Sequence, residues 1–219
     1  MRARDLTDAA NDAAALPWRE PGLVPRDERV ALFRSAVLDA FTRTHPASPY
    51  VVGLPFAALC ASEAASRGIS VGSGALLFGL GWLSWSLVEY LMHRFLFHAN
   101  VRSETLRIAT LLAHGHHHVW PQDPRRIAAT PVQLVSTALL FHGGFRLALG
   151  PDAWWAAMCG ASASYVAYEA VHWLAHHGRP RSRWLRALKA HHMRHHHVAP
   201  QSRWGIGTRL FDWIFRTHR

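Results

Sequence analysis

Apolar residues gather into four stretches of this chain, with polar segments between them. The first runs from Pro49 to about Ser62 and is interrupted by Pro55. The second runs from about Ile69 to Met92, the third from about Pro131 to Leu149 and the fourth from about Ala153 to Trp173. A helix that crosses a bilayer needs about 20 mostly apolar residues. The second and fourth meet that length, and their Gly, Ala and Ser content lets membrane helices pack closely. The third carries His142 and Arg146, and the first is short enough for a re-entrant half-span. Ahead of them, DERVALFRSAVLDAFTRTH spaces Val30, Leu32, Phe33, Val37, Leu38 and Phe41 as one helical face. That spacing predicts an amphipathic surface helix. The pattern as a whole predicts an all-α integral membrane bundle of about four transmembrane or half-spanning helices. Residues 49–219 form it, preceded by an N-terminal segment, 1–48.

Charge gives the bundle an orientation. The chain has 24 Lys and Arg against 14 Asp and Glu, a net charge of +10. A basic excess can mark nucleic acid or an anionic membrane surface. Four spans would put residues 1–48, 93–130 and 174–219 on one side, and those segments hold 22 of the 24 cations. By the positive-inside rule that side is the cytoplasm. The excess is therefore read as membrane topology, with no nucleic-acid partner and both termini cytoplasmic. Residues 1–20 are too acidic and too poor in apolar residues for a secretory signal peptide. Cys60 and Cys159 each sit in an apolar run and read as small buried hydrophobes, not a disulfide or a metal site.

The same three segments carry most of the 17 histidines, in HRFLFH (93–98), HGHHH (114–118), HWLAHH (172–177) and HHMRHHH (191–197). On a helix, an HxxHH unit keeps its three imidazoles within an arc of about 100°. His114, His117 and His118 form one such unit, and His192, His195 and His196 form another. His116 and His197 fall off those faces. His172 and His176 stand four apart on one face, with His177 rotated away. His93 and His98 are five apart, about 140° on a regular helix, and meet only if the helix ends or bends. Neutral imidazole suits zinc, iron, copper and nickel. Ten histidines exceed what one ion accepts, which points to two metals in a cytoplasmic histidine-rich helical cap.

The runs LVEYLMHRFLFH, HGHHHVWPQDPRRI, YEAVHWLAHHGRP, KAHHMRHHH and WGIGTRLFDWIFRT resemble the fatty acid hydroxylase superfamily, closest to its fatty acid 2-hydroxylase branch. The resemblance covers residues 49–217, in order and in spacing, and includes the flanks of the histidines. It implies metal ligation by His93, His98, His114, His117, His118, His172, His176, His192, His195 and His196. His191 matches a family position outside that set. The metals implied are two irons, with zinc able to replace them in a purified form. The reaction implied is O2-dependent hydroxylation of a lipid or fatty acyl chain, at the carbon next to the carbonyl. His116, Glu169 and Phe211 depart from the residues common in the family, and none removes a ligand. Relatives often begin with a cytochrome b5-type haem domain. No HPGG-like motif is present here, so a separate electron donor is expected, cytochrome b5-like or a ferredoxin with its reductase.

Neighbouring residues complete the expected site. Glu89, Asp123 and Glu169 are carboxylate candidates for accepting imidazole N–H bonds, which would orient the ligands. Glu89 and Glu169 lie in apolar runs, where an ionisable group is costly and usually functional. Tyr168 is placed to line the site. An acyl chain is expected to enter between the second and fourth apolar helices. Two other readings share the pattern: a sterol or carotenoid hydroxylase or desaturase of the same superfamily, and a membrane metal transporter. A transporter would line its spans with ligands, whereas here only His142 lies mid-span.

Overall fold

The computed structural model describes residues 32–100 and 103–219. Helices α1 (Ala36–Ala40), α2 (Ser48–Ser66) and α3 (Val71–Leu91) come first, and α3 runs on into a π-helical turn, Met92–Phe97. Helix α4 (Glu104–Thr110) likewise leads into a π-helical turn, Leu111–Gly115, and then α5 (His116–Val119). Helices α6 (Pro131–His177), α7 (Arg183–His197) and α8 (Leu210–Ile214) complete the chain. Among the described residues the fold is all-helical.

Helix α6 is two helices. Gly150 has φ 79° and ψ −175°, outside helical space and accessible to glycine at no steric cost. Pro151 follows and starts the second half. The chain reverses there. His142 meets Trp154 at 4.6 Å between ring centroids, and Phe141 and Phe145 share a core with Trp154, Met158 and Ala161. Residues 131–149 and 151–177 are thus an antiparallel hairpin, as the separate third and fourth apolar stretches require. Its N-terminus is fixed by a capping box between Thr130 and Gln133.

Helices α2 and α3 are joined through residues 67–70, and each packs on α6. Arg67 at that turn donates to Asp152, just past the other turn, at 2.8 Å. The two turns therefore lie at one end of the bundle, and the histidine segments lie at the other. Pro55 does not shorten the first apolar stretch: α2 is continuous over 19 residues. At 1.5 Å per residue it is about 28 Å long.

Close helix contact holds these helices together. A Cβ on Gly81 would stand 1.8 Å from the Ala157 carbonyl oxygen, and one on Gly160 would stand 2.0 Å from that of Phe78. Ser86 and Ser164 meet nearby at 3.4 Å. This seam joins α3 to residues 151–177 and leaves no room for an acyl chain between the second and fourth apolar helices. The expected entry route is therefore wrong: the small residues that make those segments good membrane packers also close the gap.

Among the described residues two helical stretches are long and apolar enough to cross a membrane, Val71–Phe97 and the hairpin Pro131–His177, and only 11% and 17% of their most apolar windows are buried. A soluble core helix would hide that surface. Val71 and Leu147 instead stand 92% and 90% exposed. The protein is a membrane protein.

The expected amphipathic helix begins at Asp27, and residues 27–31 lie outside the described residues. From Leu32 onward only Ala36–Ala40 is helical. Asp39 accepts from the Leu32 and Phe33 amides and pairs with Arg126, which curls the segment into a compact turn against the cap. Leu32 is buried with Leu111, Val119 and Trp120.

Replacing Gly81 with Ala should lower the melting temperature of the detergent-solubilised protein by at least about 4 °C, because overpacking a helix seam costs about 1–3 kcal/mol. Gly79→Ala, two residues away with open space around it, should be neutral or stabilising. Equal melting temperatures in the two variants would show that the seam is looser than its geometry.

Candidate metal centre

Four segments deliver ten imidazoles to the end of the bundle opposite Arg67 and Asp152. The first comes from the π-helical turn Met92–Phe97. Its wider turn bonds residues five apart, and the His98 amide donates to the His93 carbonyl at 3.3 Å. That bond is the bend the five-residue spacing of His93 and His98 requires. A second π-helical turn carries His114 into α5, where His117 and His118 follow. His172 and His176 come from the last turns of α6, and His192, His195 and His196 from α7.

The ten fall into two groups of five, all buried: His93, His98, His114, His118 and His195, and His117, His172, His176, His192 and His196. Within each group the ligand atoms lie within 4.8 Å of one another. Each HxxHH unit is shared between the groups. His114 and His118 face the first and His117 the second, while His195 faces the first and His192 and His196 the second. The two groups touch where the His118 and His196 rings stack at 4.2 Å.

The spacing inside the groups tests whether an ion fits. Nε2 atoms are 3.0 Å apart in His93 and His114, 2.9 Å in His114 and His118, and 3.1 Å in His98 and His118. In the second group His117 and His172 stand at 3.0 Å, His176 and His192 at 2.8 Å, and His192 and His196 at 3.0 Å. Nitrogens at about 2.1 Å from one ion and at right angles to each other are about 3.0 Å apart. A right-angled set of five leaves a sixth position open. Each group could therefore hold a metal ion with room for a reactant.

Electrostatics favour the same occupant. Burial, then the neighbouring imidazoles, push His114, His117, His118, His192 and His196 well below the ordinary imidazole range. Burial, then His93, does the same to His195. These shifts favour neutral rings, and a ring with its proton on Nδ1 turns the lone pair of Nε2 into its group. Such lone pairs repel each other unless a cation sits between them.

Backbone carbonyls set the tautomers of two members of the first group. His93 Nδ1 donates to the Trp204 carbonyl and His195 Nδ1 to that of Ser202, the latter at 2.7 Å. Each bond leaves Nε2 as the free donor atom. In the second group, Nδ1 of His117, His172, His176, His192 and His196 has no hydrogen-bond partner among the described residues.

The carboxylates expected to orient imidazoles grip backbone instead. Glu89 accepts from the Ile206 and Gly207 amides at 2.6 and 3.1 Å. Glu169 accepts from the Ala129 amide at 2.9 Å. Asp123 accepts from the Arg125 amide at 3.0 Å and pairs with Arg126 at 3.3 Å. All three hold the loops at 123–129 and 202–207 that wall the centre, because those loops present amides with no helical partner. Tyr168 does line the pocket, with its ring 5.7 Å from His172.

Sequence reasoning missed Asp212. It is fully buried and accepts from the Trp204 and Gly205 amides, from Thr217 Oγ1 and from His191 Nε2, all at 2.7–3.0 Å. Burial alone would raise its pKa, but the His191, Thr217 and Gly205 hydrogen bonds hold it below the ordinary carboxylate range. His191 thus stands outside both groups and braces the loop whose carbonyls orient His93 and His195. One available signal was that Asp212 is the sole acid after Glu169. His116 is also outside both groups, its ring nitrogens 2.9 Å from the Leu111 carbonyl oxygen and 3.2 Å from that of Arg126. His142 packs on Trp154, far along the hairpin.

A pocket of about 70 Å³ adjoins the histidines, lined by Met92, Phe97, Gln133 and Tyr168 among others. Trp85, Leu134, Thr137 and Tyr165 line both this pocket and an apolar cavity of about 230 Å³. The cavity continues between α2 and the first half of α6. Val52 and Val135, both more than half exposed, stand on its walls, so it opens to the side.

Comparison with known proteins bears on this centre. The fatty acid hydroxylase profile matches residues 78–217. A dihydroceramide fatty acyl 2-hydroxylase of Arabidopsis thaliana is 34% identical over 84% of this chain and 78% of its own length. The fatty acid 2-hydroxylase of Homo sapiens is 38% identical over 64% of this chain, which spans only 39% of that protein. Full-length scs7p, whose hydroxylase domain alone is visible, superposes with a TM-score of 0.76 at 24% identity, over 99% of this chain and 90% of that one.

Metal content should separate facing from averted histidines. His195→Ala should reduce bound metal from two ions per chain to about one, whereas His197→Ala, on the half-exposed flank, should keep both. Equal loss would show that position on the helix face does not decide ligation.

The depressed imidazoles also predict a pH dependence. In the unfolded chain they titrate near 6.5 and in the folded chain well below it, so the unfolded state binds more protons once pH falls below about 6.5. The metal-free protein should lose melting temperature progressively from pH 7 to pH 5. A flat profile over that range would contradict the neutral, buried state of the centre.

Proposed function

The chain belongs to the fatty acid hydroxylase family, and we propose that it hydroxylates the acyl chain of a membrane lipid at the carbon next to the carbonyl, with two irons and O2. The single observation that carries this reading is the apolar cavity that opens to the side of the bundle and leads to the ten-histidine centre. The names of its relatives supply the position: they are fatty acid and dihydroceramide fatty acyl 2-hydroxylases.

The ten histidines would hold the irons, five each, through Nε2. The irons supply O2 reduction and the oxidation of an inert C–H bond, chemistry beyond any side chain. The chain supplies the rest. The Trp204 and Ser202 carbonyls hold His93 and His195 in the ligating tautomer. The Trp204 indole packs 4.9 Å from His98 and 5.3 Å from His195 and covers the first group. Glu89 and Asp212 pin that loop, and Glu169 pins the one on the opposite wall. The acyl tail lies in the cavity between α2 and the first half of α6 and passes Trp85, Leu134, Thr137 and Tyr165, which puts its carbonyl end at the histidines. The lipid-facing opening lets the tail enter without crossing water.

All four helical rods cross the bilayer in this reading. Residues 49–219 are the hydroxylase unit, and residues 32–48 brace its cap. By the positive-inside rule the histidine end faces the cytoplasm, because segments 1–48, 93–130 and 174–219 hold 22 of the 24 cations of the sequence, and a separate protein donates there the two electrons each turnover needs. The transporter reading does not fit, since ligands cluster at one end of the rods and none follows a path through them. Nothing in the lining favours a rigid sterol or a carotenoid.

Expression in a host without 2-hydroxylated lipids should give acyl chains carrying one added oxygen at C2, drawn from isotope-labelled O2. Hydroxylation at another carbon would overturn the position, and none at all, in iron-loaded protein given a reductant, would overturn the reading. Val52→Trp should narrow the side opening and raise KM for a long acyl substrate roughly fivefold, with kcat and bound metal unchanged. An unaltered KM would place the entrance elsewhere.

A further inference from the structure

Helix α7 carries a second set of residues on a face it does not give to the metal ligands: Ala187, Ala190, His191 and Arg194. The two alanines leave space, and the chain after α7 folds over it to enclose a cleft of about 270 Å³. Arg194, Arg203 and Arg209 line this cleft, with His218 at its edge. No carboxylate among the described residues lines it. Asp212, the sole acid of the final 50 residues, is fully buried below, bonded to His191.

The backbone puts one of these arginines there at a cost. Arg203 has φ 61°, a left-handed conformation that glycine or asparagine adopts far more readily. Its amide donates to the Thr217 carbonyl at 2.8 Å and its guanidinium to Ser202 Oγ at 3.1 Å. Neither bond neutralises its charge. Strain of this kind persists where it serves a site.

The surroundings indicate what the cleft holds. A neighbouring cleft shares Ala187 and Arg209 and is lined by Trp184, Leu210 and Trp213, all substantially exposed. Helix α8 packs on the end of the membrane-crossing helix, where Phe215 stacks on Tyr90 at 5.3 Å. Cations and exposed aromatics thus stand side by side at the depth where hydrocarbon meets headgroups.

We propose that this cleft binds the phosphate of an anionic membrane phospholipid, with Arg194, Arg203 and Arg209 on the headgroup and Trp184, Leu210 and Trp213 against its acyl chains. Guanidinium forks suit phosphate oxygens, and three of them with no competing carboxylate select a net negative headgroup over a zwitterionic one. This site is separate from the acyl cavity and does not depend on the substrate.

The test uses the full chain in neutral detergent, with native mass spectrometry and thermal melting as readouts. Dihexanoyl phosphatidylglycerol should bind at least about tenfold more tightly than dihexanoyl phosphatidylcholine or inorganic phosphate, and should raise the melting temperature. Arg194→Gln with Arg209→Gln should remove at least about tenfold of that affinity. Arg203→Gly should weaken binding while matching or exceeding the wild-type melting temperature, since glycine relieves the strained φ. That variant separates a lost ligand from a lost fold. Equal binding of the two lipids, or phosphate as tight as phosphatidylglycerol, overturns the proposal. So does unchanged affinity in the variants, which would leave the cationic face to an acidic protein.

Discussion

Ten imidazoles, buried in two groups with their ligand atoms crowded together, are the arrangement on which the other features depend. Protonation would relieve the repulsion by adding charge, but burial opposes charge, and the rings have no room to turn. A cation at each focus satisfies all the constraints together. The helices, loops and buried carboxylates then have a common role, which is to hold those lone pairs in place against a force that would spread them. Two π-helical turns and a reversal at Gly150 are departures from regular helix, and with the close approach at Gly81 and Gly160 each sets the position of a histidine-bearing segment or of the rod beneath it.

The two groups are supported unequally. In the first, backbone carbonyls of one loop receive the Nδ1 protons of His93 and His195, and Asp212 and Glu89 immobilise that loop. In the second, support comes from packing alone among the described residues. Imidazoles that donate to a carbonyl are better electron donors to a metal. A metal at the first position would therefore meet the better electron donors, and the second group is the one nearer the Tyr168 side of the pocket through its His172.

Much of this was legible in the sequence, for a physical reason. Metal ligands on helices must recur at helical spacing, so HxxHH and HxxxH expose themselves, and apolar runs of bilayer length expose the rods. His93 and His98 showed the limit. Their spacing required a bend, and the sequence could not say that the bend is a π-helical turn. The partners of Glu89, Asp123 and Glu169 were misread because a buried carboxylate binds whatever amide the tertiary fold brings to it. For Glu169 and Glu89 those amides belong to loops 40 and 117 residues away, whereas Asp123 caps its own turn at Arg125. The acyl route was misread because small residues signal both close packing and passage, and only the Gly81 and Gly160 contacts distinguish the two. Of the described part of the expected amphipathic helix only Ala36–Ala40 is helical, because Asp39 bonds the Leu32 and Phe33 amides and Arg126 and curls the segment into a turn.

Helix α7 donates to both groups of histidines, and it comes near the end of the chain's order. The first group takes members from 93 to 195 and the second from 117 to 196. During synthesis, then, the first three histidine segments emerge and the rods can enter the bilayer while neither focus yet has all its donors. Metal captured early would be held by incomplete sets in the wrong ratio. The docking of α7 closes both sets in one event, so metal retention registers, in time, that the last helix has arrived and found its register.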